Sequence, residues 1–286
     1  MVKKLFSEQT MTYNLGTVFI LTIGYFFIEL LGGLYYNSLA LLTDASFMAI
    51  NITGQLIVLY VAKLSKRPAD NNNTFGYERA KVLSGLFNGM LVGFVLFFVL
   101  VDSYNRIRNP QALDAGKVFY IALLGLLVNG FGLLKLYKSS GDINIKGAYI
   151  LILNDALGSV GVIVSSVIIQ LTGLYVMDAV TSIFIGLLVA YPIYSLLKGS
   201  IGILMEGTPV GMDIEGVRRF IGNGLDCIKQ VKDLRVWVLT PEKTIMAARV
   251  RTDGQVCSRD EIKALKKRLE SKFGFHDVYV EIYEEG

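Results

Sequence analysis

Apolar residues in this chain arrive in long blocks separated by short polar stretches, and six of the blocks are long enough to cross a membrane. They are Thr17–Tyr35, Leu39–Leu64, Val82–Val101, Val118–Leu136, Lys146–Leu171 and Ala179–Leu197. A helix needs about 20 such residues to span a hydrocarbon core of ~30 Å. Lipid offers the backbone no hydrogen-bond partner, so each block is expected to be a helix. Past Met205 the pattern changes to that of a soluble module. Asp213–Gly224 has the acidic start and glycine end of a helix. Lys232–Leu239 and Thr244–Thr252 read as strands around a turn at Thr240–Lys243. Ser258-Arg259-Asp260-Glu261 is a capping box that opens a helix with Ile262, Leu265, Leu269 and Phe273 on one face, and Asp277–Tyr283 is a last strand. The expected fold is therefore an α-helical membrane protein. Residues 1–205 form a six-helix transmembrane domain, and residues 206–286 a small α+β domain of order αββαβ, ferredoxin-like, in which a dimer partner helps stability.

Composition agrees with the membrane assignment. Of 286 residues 53% are hydrophobic and only 18% charged, below the usual quarter of a soluble domain. Lys3, Lys4, Lys63, Lys66, Arg67, Arg79, Lys81, Lys135, Lys138, Lys146 and Lys198 fall on one side of the expected spans, against Arg106, Arg108 and Lys117 on the other. The positive-inside rule then puts both termini in the cytoplasm, and the membrane is read as the cell membrane. The polar N-terminal stretch MVKKLFSEQTMTYN is too long for the n-region of a cleaved signal peptide, so the first span is expected to be retained. Cys227 and Cys257 lie outside the apolar blocks, lack zinc-knuckle spacing, and are expected to be ordinary core residues. Lys263, Lys266, Lys267, Arg268 and Lys272 read as the solvated face of one helix, with no aromatic platform for nucleic acid. With one histidine and no nucleophile–base pairing, nothing in the chain suggests an enzyme.

The informative residues are the polar ones inside the spans. Glu29, Asp44 and Asp155 are carboxylates there, with Asp178 at the mouth of the sixth. A mid-membrane charge costs about 2.5–3.5 kcal/mol and usually lines a cavity or pathway. Asp44, Asn51 and Gln55 are spaced by seven and four, so they fall within about 40° on one helical face. Asn144, Asp155 and Ser159 share a face of the fifth span, flanked by Asn154, with Gly158 and Gly161 allowing close approach of another helix. Two such stripes facing each other would make an oxygen-lined site.

These residues and their flanks resemble the cation diffusion facilitator family of divalent-metal/proton antiporters. The resemblance is carried by IELLGG (28–33), NSLALLTDA (37–45), TFGYERA (74–80), NDALGSVG (154–161), LMEGTP (204–209) and VKDLRVWVLT (231–240). It implies a homodimer whose second and fifth helices hold the transported metal and whose tails pair and often bind regulatory metal. Its four ligand positions fall here on Phe47, Asn51, Leu151 and Asp155, so two of them cannot coordinate. Lys232, Arg235 and Arg249 stand where zinc-binding relatives commonly carry histidine, and His276 is expected to be structural. The metal site expected instead is Asp44, Asn51, Asp155 and Asn154, with proton coupling through Asp155 and Glu29. Such an all-oxygen donor set fits Mn²⁺ or Fe²⁺ better than Zn²⁺. No tightly bound cofactor is expected; the cation is substrate. Two functions follow: export of a divalent cation in exchange for protons, or a non-transporting subunit that partners a competent family member in a heteromer.

Overall fold

The computed structural model describes the backbone of residues 2–137, 143–252 and 257–283, and side chains at 16–136, 149–252 and 257–283. Lys3, Lys4, Lys138, Asn144 and Lys146, used above, lie outside the described side chains.

Six long helices come first: α1 (Val2–Tyr35), α2 (Leu39–Leu64), α3 (Ala80–Arg108), α4 (Ala115–Tyr137), α5 (Ile143–Thr172) and α6 (Val176–Leu204). All six contain a stretch long and apolar enough to cross a membrane. Only α2 keeps its sequence-read bounds; the others run past theirs, because hydropathy marks what lipid must cover and a helix continues until its backbone finds another partner. Pro192 sits inside α6 without ending it. The α1–α2 turn is tight, with Asn37 at φ 58°. Ser38 Oγ accepts the Leu41 amide, and Asp178 of α6 accepts the amides of Leu39 and Ala40 and the Ser38 hydroxyl at 2.6 Å. The carboxylate thus satisfies the exposed N–H groups that begin α2.

The tail is α7 (Ile214–Gly222), β1 (Ile228–Thr240), β2 (Lys243–Thr252), α8 (Arg259–Phe273) and β3 (Asp277–Tyr283), the αββαβ order read from the sequence. β1 pairs antiparallel with β2 and β2 parallel with β3. Asp213 caps α7, and Ser258 with Glu261 forms the capping box of α8, which ends on Gly274 in the left-handed conformation. Val217 and Ile221 of α7 and Leu265 and Leu269 of α8 pack on Val236, Met246 and Val250 of the sheet.

The expectation for the cysteines needs correction. Cys227 and Cys257 are buried in this core, but they form a disulfide, Cα–Cα 5.6 Å. Thirty residues separate them, and the pairing arises because the α7–β1 connection and the start of α8 meet at one edge of the domain.

The chain divides into two compact units, Met1–Ile57 with Asn88–Ser195, and Val58–Phe87 with Leu196–Gly286. In the second, the TFGYERA segment is tied to the β1–β2 turn: Glu78 meets Lys243 at 2.6 Å and Lys81 meets Glu242 at 3.6 Å. Arg79 meets Glu206 at 3.5 Å, and the Val238 amide donates to Gly207 O.

Candidate metal site

Asp44 and Glu29 are both buried. Asp44 lies on α2, with its carboxylate against the backbone of Gly158 on α5; a Cβ there would stand 3.2–3.3 Å from its oxygens. Glu29, on α1, and Asp155, on α5, lie near enough to Asp44 for their charges to interact. Tyr25, one helical turn before Glu29, donates from its hydroxyl to Glu29 Oε1 at 3.1 Å and reaches Ile121 O on α4 at 3.4 Å. The phenol fits only because residue 125 of α4 is glycine, where a Cβ would collide with it. Glu29 Oε2 and Asp44 Oδ2 are buried without a hydrogen-bond partner. An arrangement of this kind is stable only with a proton or a cation between the groups.

Asn51, two turns along α2, lines a separate cavity with Asp155 of α5. Its volume is ≈ 80 Å³, and Thr22, Met48, Gln55 and Leu151 complete much of its wall. A single water needs about 10–15 Å³ by the same kind of measure, so a small ion with part of its hydration shell has room. Asp155 itself is buried, and its backbone carbonyl accepts from Ser159.

Of the four expected residues, Asn51 and Asp155 line the cavity; Asp44 does not line it, and its carboxylate lies against Gly158. Asn154 is half-buried and does not line the cavity. Leu151 does line it but contributes only carbon, and Phe47 is buried outside its wall. Among the described residues, no group of three or more His, Cys, Asp or Glu side chains is arranged to hold a metal ion. Sequence reasoning missed Tyr25, although its spacing of four from Glu29 places both on one face of α1. Asp178, placed by the sequence at the mouth of the sixth span, serves there to begin α2.

On the sheet, Arg235 and Arg249 carry ion pairs. Arg249 meets Glu281 through two bonds of 2.7 and 3.2 Å, and Arg235 meets Asp233 at 3.0 Å. The guanidinium holds the Glu281 carboxyl below its usual range and is itself raised by it. His276 donates its backbone N–H to Thr244 O, and its ring meets Asp277 at 3.0 Å.

Comparison with known proteins points one way. Residues 16–205 match the family model of the cation efflux transmembrane domain, and residues 209–284 that of the cation efflux protein cytoplasmic domain, ZT_dimer. The metal cation efflux system protein CzcD of Cupriavidus metallidurans is 34% identical over 94% of this chain and 85% of its own. The cadmium, cobalt and zinc/H(+)-K(+) antiporter of Bacillus subtilis is 33% identical over 87% and 81%. The zinc transporter ZitB of Escherichia coli is 33% identical over 85% and 78%.

Proposed function

The chain belongs to the cation diffusion facilitator family, a family of transporters rather than enzymes, and from that premise we propose that it exports a divalent cation from the cytoplasm in exchange for protons. It is a multi-pass membrane protein, and its tail domain is of a dimerising type. The observation that carries the reading is the presence, in one helical unit, of buried unpartnered carboxylate oxygens on Glu29 and Asp44 and of a cavity lined by Asp155 and Asn51. In this reading the cavity admits the cation, which Asp155 binds as a carboxylate and Asn51 through its amide oxygen. Glu29 and Asp44 exchange protons as the cation passes, with Tyr25 holding Glu29 in place. An oxygen-only donor set favours Mn²⁺ or Fe²⁺, although the relatives named above carry zinc, cadmium or cobalt in their names. Both termini lie in the cytoplasm in this reading, in keeping with the distribution of basic residues and the kind of domain at the C-terminus.

Flux into proteoliposomes, compared for Mn²⁺, Fe²⁺, Zn²⁺, Co²⁺ and Cd²⁺, tests the proposal. Transport of at least one of these ions, abolished in Asp155→Ala, is the expected result; no flux, or flux untouched by that substitution, defeats it.

A second reading rests on the carbon side chains of Phe47 and Leu151 at the family's ligand positions. Here the chain is a non-transporting subunit that supports a competent relative. It requires co-purification with that relative and no metal binding by the isolated chain in calorimetry.

A further inference from the structure

The α2–α3 connection, residues 65–79, is a built structure rather than a slack loop. The Asp70 carboxylate accepts from the amides of Asn72 and Asn73 at 2.9 and 2.8 Å and from the Tyr77 hydroxyl at 2.7 Å. These bonds hold its carboxyl below the usual range, and Gly76, at φ 72°, turns the chain back toward α3. The fold leaves a recess of ≈ 590 Å³ lined by Lys66, Arg67 and Lys81, with the hydroxyls of Ser65 and Thr74 beside them.

The charges around it are nearly all of one sign. Glu78 also lines the recess, but its carboxylate is engaged by Lys243 at 2.6 Å. Lys81 shares Glu242 at 3.6 Å in an exposed pair, which competes weakly with another anion. Lys66 and Arg67 are exposed, and among the described residues neither makes an ion pair. On the membrane side of the recess the surface turns apolar. Leu59 and Tyr60 at the end of α2 are 69% and 68% exposed, and Leu83 and Phe87 at the start of α3 are each 52% exposed.

A cationic recess at the membrane–water boundary, continued by an apolar helix surface, is the chemistry of a phospholipid with a negative headgroup. The geometry points to this recess as a binding site for one anionic phospholipid, its phosphate on Lys66, Arg67 and Lys81 and its acyl chains on the α2 and α3 surface. The planar guanidinium of Arg67 offers two parallel donors to a phosphate diester, and the two lysines supply point charges. Ser65 and Thr74 can bond the remaining headgroup oxygens. A free phosphate would use the recess alone, whereas the lipid uses the recess and the apolar surface together. The site depends neither on the transport reading nor on which side of the membrane the connection faces.

Calorimetric titration of the purified full-length chain in neutral detergent tests the assignment, with short-chain phosphatidylglycerol, short-chain phosphatidylcholine and inorganic phosphate as probes. Phosphatidylglycerol should bind, and the other two much more weakly. The K66Q/R67Q pair should weaken phosphatidylglycerol about 25-fold, since each basic residue near a membrane surface contributes about fivefold. The K263Q/K267Q pair, with the same loss of charge on α8, should leave binding unchanged. Equal binding of phosphatidylcholine, equal binding of phosphate, absence of binding, or equal loss in both pairs overturns the proposal. The comparison of the three probes needs no variant, so it decides the matter even where a substitution disturbs folding.

Discussion

The Tyr25 hydroxyl lies 3.1 Å from Glu29 Oε1, and this buried bond within α1 fixes the position of the Glu29 carboxyl group. With Oε2 already lacking a partner, removal of the phenol oxygen leaves both oxygens of a buried carboxyl group without a donor. A buried acceptor that loses its donor costs about 1–3 kcal/mol, so Tyr25→Phe should lower stability by that order. Thermal unfolding of the detergent-solubilised chain checks this. Flux through the same variant should fall through a change in maximal rate rather than in apparent metal affinity, because Tyr25 is not in the wall of the cavity that holds Asp155.

Gly158 of α5 lies beside the Asp44 carboxylate of α2. A methyl group there would stand 3.2–3.3 Å from both Asp44 oxygens, so the buried Asp44 side chain would have to shift by a few tenths of an ångström. Gly158→Ala should cost about 1–3 kcal/mol of overpacking strain and reduce flux while helical content by circular dichroism is kept. Gly93→Ala on α3 is the control. Nothing lies within 4 Å of its Cβ position, and it should leave flux and melting temperature unchanged or slightly raised. Equal effects from the two substitutions would remove the argument for close approach at Gly158.

Legibility in the sequence followed the range of the forces involved. The spans could be read because lipid imposes one requirement on every residue of a helix, and the αββαβ tail because its caps and alternation are local. The Ser258–Glu261 box appears in the structure where the sequence placed it. Helical periodicity also put Asn51 on the face that meets the cavity. It did not reveal that Asp44, on the same stripe, lies against Gly158 and outside the cavity lining, nor that Tyr25 bonds Glu29 with its phenol lodged against Gly125 of α4. Nor did it reveal the partners of Asp178, which are the amides of another helix, 138 and 139 residues away. The Cys227–Cys257 bridge had no local signature either.

That bridge joins residues 30 apart. Closing a loop of this length restricts the unfolded chain by about 3–4 kcal/mol in the entropic account. Cys227→Ser should therefore lower the unfolding midpoint of the full chain, and reductant should bring the parent protein to the same value. The bridge also tests orientation. Disulfides seldom persist in a reducing cytoplasm, so in intact cells a membrane-permeant maleimide should label both cysteines and an impermeant one neither. Labelling by the impermeant reagent after treatment with an impermeant reductant would place the tail on the other side of the membrane.

The capping box gives a pH signature that belongs to the tail. Glu261 accepts the Ser258 amide at 2.8 Å, and this bond with its Ser258 partner holds the carboxyl below its ordinary value of 4.5. A depressed carboxylate stabilises fully above the unfolded value, and its contribution is lost as pH falls through the folded one. Acidification below 4.5 should lower the tail's unfolding temperature, and the slope over that window should be shallower in Glu261→Gln. Ser258→Ala removes the other half of the box at a cost of about 1 kcal/mol at neutral pH. Glu281 has a depressed carboxyl too, held by Arg249 on the sheet, so Glu261→Gln should flatten the acid limb only in part. The residual slope should disappear when Glu281→Gln is added, and an acid limb identical in the parent and the double variant would show that neither pair contributes to the tail's stability.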